Sequence, residues 1–198
     1  MRRVGVLASG RGSNLRALHA ATKDGVLKGS AEIVVIASDK PGAGALVFAD
    51  EVGIPAIAQP KEGLAREAWD AAMVEKLAPY KLDFVVLAGF MRVLSPVFVK
   101  AYPGRIVNVH PADTREHKGL GGYAFAFERK MPETKVTVHV VDDGLDTGPI
   151  LAQRAVDLRG AETLEEVERR GLAVEHALYA ETLRDLFRGL RSHEGKRE

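Results

Sequence analysis

The stretch RVGVLASGRGSNLRAL, residues 3–18, decides the fold. Its first part, RVGVLA (3–8), is short, rich in valine and nearly continuously apolar, as in a strand buried on both faces. Gly10 and Gly12 interrupt it, and the helical pattern GSNLRALHAAT (12–22) follows. The same strand signal recurs in EIVVIA (32–37), FVVLAG (84–89) and RIVNVH (105–110). Helical patterns lie between them. GALVFADEVG (44–53) is stopped by Gly53, and AREAWDAAMVEKLAPY (65–80) has an apolar face of Ala68, Ala71, Ala72, Val74 and Leu77. A β-α-β-α order implies right-handed crossovers and an open, mostly parallel, twisted α/β sheet with helices on both faces.

The later half reads differently. KVTVHVVDD (135–143) and GPILAQRAVDL (148–158) are two strand-like runs joined by a tight turn, an antiparallel extension of the sheet. The segment 163–190 is a closing helix, with Thr163 and Glu166 spaced as a capping box and Gly171 expected to break or bend it. RSHEGKRE (191–198) is expected to be a tail without fixed order, which leaves one domain over 1–190.

The totals narrow the function. A chain of 198 residues, 46% hydrophobic and 28% charged, suits one soluble globular domain with a sizeable core. Twenty-eight basic against 27 acidic residues give a net charge of +1, no general attraction for nucleic acid or an anionic membrane. Any anionic ligand must be held locally. With no cysteine, disulfides, thiolate zinc sites and a cysteine nucleophile are excluded, in keeping with a reducing cytoplasm. No apolar run is long enough for a signal peptide or a bilayer span.

Two places carry chemistry. Gly10 and Gly12, between strand and helix, let backbone N–H groups approach an anion, and Ser13 and Asn14 add donors. Leu15 breaks a G-x-G-x-x-G pattern and no G-K-[ST] follows, so a single phosphate fits better than a dinucleotide or triphosphate. A plain turn with Ser13 as helix cap weighs equally. The second place is RIVNVHP (105–111). Alternation puts Asn108 and His110 on one side of the strand, with His110 at its carboxyl end, where open α/β sheets bind ligands. A buried histidine satisfied by a carbonyl is the commoner reading of an isolated N-x-H. Asp146, in the turn DDGLDTGP (142–149), taken alone is a turn aspartate. Together the three make an acyl-transfer set: an amide for an oxyanion, an imidazole to supply or relay a proton, and a carboxylate favouring its charged form. Thirty-six residues separate His110 from Asp146, so their meeting is an expectation of the fold.

Five segments, in order, resemble the phosphoribosylglycinamide formyltransferase family, folate-dependent enzymes of purine synthesis. LASGRGSNLRAL (7–18) resembles the family's S-G-x-G-S-N-L opening. DFVVLAGFMRVLSPVFV (83–99) is similar to D-[FV]-V-V-L-A-G-[FY]-M-R-[IL]-L-[ST]-P, and NVHP (108–111) to N-[IV]-H-P. TVHVVDDGLDTGPILAQ (137–153) resembles S-V-H-F-V-x-x-x-x-D-x-G-P-I-[IL]-x-Q, and VEHALYAETL (174–183) the late E-H-x-[IL]-Y-P. Each is a modest signal; their joint order and spacing over nearly the whole chain are specific.

The resemblance implies a Rossmann-like formyltransferase fold, 10-formyltetrahydrofolate as co-substrate, glycinamide ribonucleotide as acceptor, and no metal. A homodimer is compatible with it. It implies that Asn108, His110 and Asp146 are catalytic, with Asp146 holding His110 cationic. Gly12, Ser13 and Asn14 would cradle the ribonucleotide phosphate and Glu175 its ribose, while Arg66, Met91, Arg92, Val93, Leu94 and Asn108 would hold the folate. His139 would support and not act as the acid. The chain departs from the family after N-x-H-P, where ADTRE (112–116) replaces S-L-L-P, and Gly121, Gly122 and Tyr123 stand where G-x-H-[TA] has histidine. Lys135 replaces a small residue.

Related readings are a formyltetrahydrofolate hydrolase, expected to carry a regulatory domain before the first strand, and a formyltransferase acting on another amine. Methionyl-tRNA formyltransferases carry a C-terminal RNA-binding domain, and sugar formyltransferases lack the S-G-x-G-S-N-L opening. A catalytically silent folate- or nucleotide-binding module is the reading of another class, supported by the altered loop alone.

Overall fold

The computed structural model describes the backbone of residues 1–194 and the side chains of residues 1–189. The chain runs through β1 (Arg2–Leu7), α1 (Ser13–Lys23), β2 (Ala31–Ser38), α2 (Gly44–Glu51), β3 (Ala56–Ala58), α3 (Arg66–Leu77), β4 (Phe84–Leu87) and α4 (Pro96–Ala101). It continues through β5 (Ile106–His110), α5 (Gly122–Glu128), β6 (Glu133–Val140), β7 (Ile150–Asp157) and α6 (Leu164–Glu194). The strands form one sheet in the order β3-β2-β1-β4-β5-β6-β7. Pairing is parallel from β3 to β5 and antiparallel across β5-β6 and β6-β7, the mostly parallel sheet with an antiparallel extension expected above.

The apolar strands are buried on both faces. Val4, Val6, Phe84, Val86, Val107 and Val109 pack with Leu15, Leu18, Leu178, Leu183 and Phe187 of α1 and α6. Leu7, Val35, Val85, Leu87 and Ile106 pack on the opposite face with Trp69, Met73 and Leu77 of α3 and Phe98 of α4. Strand order turns back between β1 and β4, so the crevice of the sheet opens at the carboxyl ends of these strands and of β5.

Two elements carry no sequence signal. β3 has three residues, none of them buried, and α4 has six, opened by Pro96 and rich in valine. Thr163 caps α6 as expected: its Oγ1 accepts from the Glu166 N–H at 3.2 Å, while the Glu166 carboxylate turns to Arg170 instead of back to the cap. Gly171 does not break α6, which runs as one helix from Leu164 to Glu194. A Cβ there would fall 2.1 Å from the Tyr123 ring, so the glycine makes room for a neighbour. The helix extends to Glu194, so residues 191–194 of the expected tail are helical; the expectation for 195–198 lies outside the described residues.

Candidate active site

Three strand ends and one hairpin build the site. At the end of β1 the chain turns through Gly12, whose φ of 79° is left-handed and suits glycine, into α1. Gly12, not Ser13, is the N-cap, and no side chain caps the helix. The first N–H groups of α1 therefore have no side-chain acceptor, the arrangement an anion needs. Ser13 is the first helical residue and, like Gly12 and Asn14, lines the crevice.

The segment after β4 is fixed to this turn. Ser9 Oγ donates to Asp39 Oδ1 at 2.6 Å and accepts from the Met91 N–H at 2.9 Å. The Arg92 guanidinium lies 4.2 Å over the Trp69 ring, and Trp69 exchanges hydrogen bonds with Gln59 at 2.6 and 2.8 Å. A cation held on an aromatic face in a buried setting gives this loop a fixed course. Met91 and Val93 stand exposed at the crevice rim and Leu94 is buried beneath.

At β5 the alternation places Asn108 and His110 on the face opposite Val107 and Val109, with His110 buried at the strand's end. The return of β6 supplies what 36 residues of sequence left open. Asn108 pairs with His139 in the antiparallel register, and the β6-β7 turn then carries Asp146 back over β5. Asp146 Oδ2 lies 3.5 Å from His110 Nδ1, and its Oδ1 lies 3.4 Å from His139 Nε2. Asn108 Nδ2 is 3.3 Å from that same His139 nitrogen. His139 thus lies between the amide and the carboxylate. Asp146 takes a left-handed φ of 50°, which aspartate tolerates better than most residues, and its Oδ2 also accepts from the Gly119 N–H at 2.8 Å.

His110 Nε2 lies 3.0 Å from the His117 carbonyl oxygen. A carbonyl only accepts, so this bond places a hydrogen on Nε2 and leaves Nδ1 facing the carboxylate. Burial pulls the imidazole below its ordinary value, against the pull of Asp146 and the His117 carbonyl in the other direction. Asp146 therefore acts on His110 in the expected direction but does not outweigh burial: the resting ring is more readily neutral than a free histidine. Burial alone would raise the Asp146 carboxyl; His139, the Gly119 N–H and the His110 ring outweigh it and hold the group below the usual carboxylate range.

One crevice of about 670 Å³ joins these parts. It is lined by Asn108, His110, His139 and Asp146, by Met91, Arg92, Val93 and Leu94 from the segment after β4, and by Gly12, Ser13, Asn14 and Glu175. Glu175 lies buried on α6, accepting from Asn14 Nδ2 at 2.6 Å. Arg66, at the exposed start of α3, does not line the crevice. Among the described residues no cluster of His, Cys, Asp and Glu is arranged to hold a metal ion, and no helix is long and apolar enough to cross a membrane.

The family model described as formyl transferase matches residues 2–183. The chain belongs to the formyl transferase family. The chain is 35% identical over 188 residues to the phosphoribosylglycinamide formyltransferase of Bacillus subtilis, a match covering 94% of this chain and 95% of that one. It is 39% identical over 189 residues to the trifunctional purine biosynthetic protein adenosine-3 of Drosophila melanogaster, covering 95% of this chain but only 14% of that protein's length. Among solved structures, the phosphoribosylglycinamide formyltransferase of Bacillus halodurans superposes with a TM-score of 0.89 at 40% identity, over 93% of this chain and 95% of that one.

Two residues to which no motif gives a role lie beside these groups. His117 stacks between the His110 and Phe125 rings, at centroid distances of 6.3 and 4.5 Å. Tyr123 donates its hydroxyl hydrogen to Glu175 Oε1. Both lie in the loop and helix where the chain departs from its family, so motif matching could not assign them.

The departures compensate one another. Asp113 is buried and accepts from Arg115 Nε and Nη2 at 2.9 and 2.7 Å and from Lys135 Nζ at 3.0 Å. ADTRE and Lys135 are two halves of one ion cluster that pins the loop after β5 to β6. Arg115 and Lys135 hold the Asp113 carboxyl far below the usual range, against its burial. A carboxyl depressed on folding adds stability above its unfolded pKa, near 4, and that contribution is lost as pH falls toward the folded value. Asp113→Asn is expected to lower Tm by about 2–6 °C at pH 7. The gap to wild type should narrow as melts are repeated below about pH 4; a gap constant with pH would deny the ion cluster this role.

Proposed function

We propose that this chain transfers the formyl group of 10-formyltetrahydrofolate to the amine of N1-(5-phosphoribosyl)glycinamide, giving formylglycinamide ribonucleotide and tetrahydrofolate in purine synthesis. The observation that carries the reading is that Asn108 and the His110–Asp146 pair line one crevice together with the first residues of α1, whose N-terminus no side chain caps. An anion at that helix end sets the ribonucleotide's phosphate, and Glu175 accepts from its ribose. The wall of Met91 to Leu94 takes the pterin through backbone groups and apolar surface. Arg66 lies outside the crevice lining, so its proposed contact is with the outward part of the folate.

In this reading the acceptor amine attacks the formyl carbon, and the carbonyl oxygen gains negative charge. The Asn108 amide donates to that oxygen, and a preorganised donor in a site shielded from water favours the developing charge. His110 takes the amine's proton at Nδ1, beside Asp146, directly or through water, and gives its Nε2 proton to the departing folate nitrogen. Protons balance: one leaves the amine and one reaches the folate. A ring that burial keeps neutral at rest can take the first proton, and the carboxylate at 3.5 Å favours the cation formed. No covalent link to the protein and no metal is needed.

The test mixes purified protein with formyl-folate and the ribonucleotide and follows absorbance as deformylated folate appears. Turnover that depends on the ribonucleotide is expected. Equal turnover without it would make the protein a hydrolase, and no turnover in either case would leave a silent binding module. Ser13→Asp places a negative charge at the α1 N-terminus, where the phosphate would sit. It is expected to raise KM for the ribonucleotide by about ten-fold or more while leaving formyl-folate nearly unaffected. Equal effects on both substrates would remove the phosphate from this turn.

A further inference from the structure

Tyr123 stands at a departure from the family, and the proposed proton relay does not use it. Its surroundings show a built contact. Tyr123, Glu175 and Asn14 come from α5, α6 and α1, are each more than nine-tenths buried, and line one end of the crevice. The Tyr123 hydroxyl donates to Glu175 Oε1 and the Asn14 amide donates to Oε2 at 2.6 Å. Each carboxylate oxygen has one donor and keeps lone-pair capacity for another. Asn14 Oδ1 is buried without a partner, a further acceptor. The Tyr123 oxygen can itself accept while it donates. This end of the crevice is therefore rich in acceptors, and its best complement is a ligand bearing adjacent hydroxyl donors.

The ring of Tyr123 also has a place made for it. A Cβ on residue 171 would come within 2.1–2.3 Å of the ring and its hydroxyl, and the chain has glycine there, inside a long helix. Glycine weakens a helix interior relative to alanine. Its presence opposite Tyr123 ties the two positions together.

We propose that Tyr123 is a positioning residue for the phosphoribosyl part of the acceptor, acting through Glu175: its hydroxyl holds the carboxylate aimed as an acceptor for the ribose hydroxyls. The proposal rests on the ribonucleotide reading above and adds to it a residue that the family pattern does not supply.

The charge environment supports a test that packing alone would not move. Burial raises the Glu175 carboxyl, while the bonds from Tyr123 and Asn14 and the nearby His176 pull it down, leaving it above the usual range. Tyr179 on α6 also feels the Glu175 charge, and Glu168 faces Tyr123. The Tyr123 hydroxyl is pushed far up by burial and by Glu175, so it stays a donor at any working pH. Removing that hydroxyl takes away one of the pulls that keep Glu175 ionised. The carboxyl must rise further, and a protonated Glu175 accepts less well from a ribose hydroxyl.

The experiment compares wild type, Tyr123→Phe and Gly171→Ala as full-length protein with formyl-folate and the ribonucleotide, over a range of pH. Phenylalanine keeps the ring against Gly171. It is expected to raise KM for the ribonucleotide about ten-fold, to change kcat much less, and to leave KM for formyl-folate unmoved. The acid limb of kcat/KM for the ribonucleotide should move to higher pH. Gly171→Ala, which displaces the ring, should raise the same KM. A ribonucleotide KM within about two-fold of wild type in Tyr123→Phe, equal changes for both substrates, or an unmoved acid limb would each overturn the inference. Failure of wild type to formylate the ribonucleotide would instead overturn the reading on which it rests.

Discussion

Replacing His110 with alanine is expected to lower kcat by about 10²–10⁴-fold while formyl-folate still binds. The expectation comes from the division of the crevice. Folate contacts are assigned to the wall from Met91 to Leu94, a loop held by Ser9, Asp39 and Trp69 and not by His110. The imidazole lies between two acceptors, Asp146 Oδ2 at 3.5 Å from Nδ1 and the His117 carbonyl at 3.0 Å from Nε2. Those partners make its cation accessible in a buried place, and alanine leaves nothing there to pass a proton. Uniform loss of binding and rate would point to a collapsed site. Loss of rate with formyl-folate affinity retained, measured by titration against steady-state turnover, would isolate the proton relay. Retained turnover would take His110 out of the chemistry.

His117 gives that experiment a second use. Its ring stacks on Phe125 and its carbonyl holds His110 Nε2, so the loop that departs from the family is in direct contact with the proposed relay. The loop is held from the other side by Asp113, Arg115 and Lys135. The altered loop is thus fastened by charges at one end and by ring stacking at the other, and Asn108, His110 and Asp146 meet beneath it. The substitutions that alone support a silent module form a cluster that ties the loop after β5 to β6.

How far the sequence could be read depended on the range of the interaction. Continuous apolar runs bounded by glycine announced β1, β2, β4 and β5, because burial on both faces leaves that local pattern. Alternation in β5 was enough to put Asn108 and His110 on one face. The meeting of His110 with Asp146 depends on the antiparallel return of β6, with Asn108 opposite His139, and no local pattern records a register. Asp113 and Lys135 were each visible as departures, yet their pairing spans 22 residues and two elements. Tyr123 and Gly171 are a pair of the same kind: a large residue and an absent side chain sharing one space, read in sequence as a lost histidine and a helix breaker. β3 and α4 are too short to develop a period. Of the two readings of the first turn, Ser13 as helix cap rests on the general preference of serine for that place, and the left-handed Gly12 shows that the cap lies one residue earlier.

Asp146→Asn tests the pairing at the centre of the site, and its effect on kcat is expected to be about 10²-fold or more. Asparagine tolerates the left-handed backbone at this position as aspartate does, and its carbonyl oxygen can still accept from the Gly119 N–H. What the substitution removes is charge. The carboxylate raises the His110 pKa against burial, so its loss lets burial lower that pKa further. The cation the relay must form becomes costlier and the plateau of kcat falls. The resting ring, neutral at the start of the cycle, now protonates only at lower pH, so the acid limb of kcat should move toward lower pH. Stability carries the same sign. The Asp146 carboxyl, depressed on folding, contributes above its unfolded pKa near 4, so the variant should melt below wild type at pH 7 and approach it in acid. A fallen plateau with the acid limb unmoved or moved to higher pH would mean that the Asp146 charge does not raise the His110 pKa, and the proposed relay through this pair would fall.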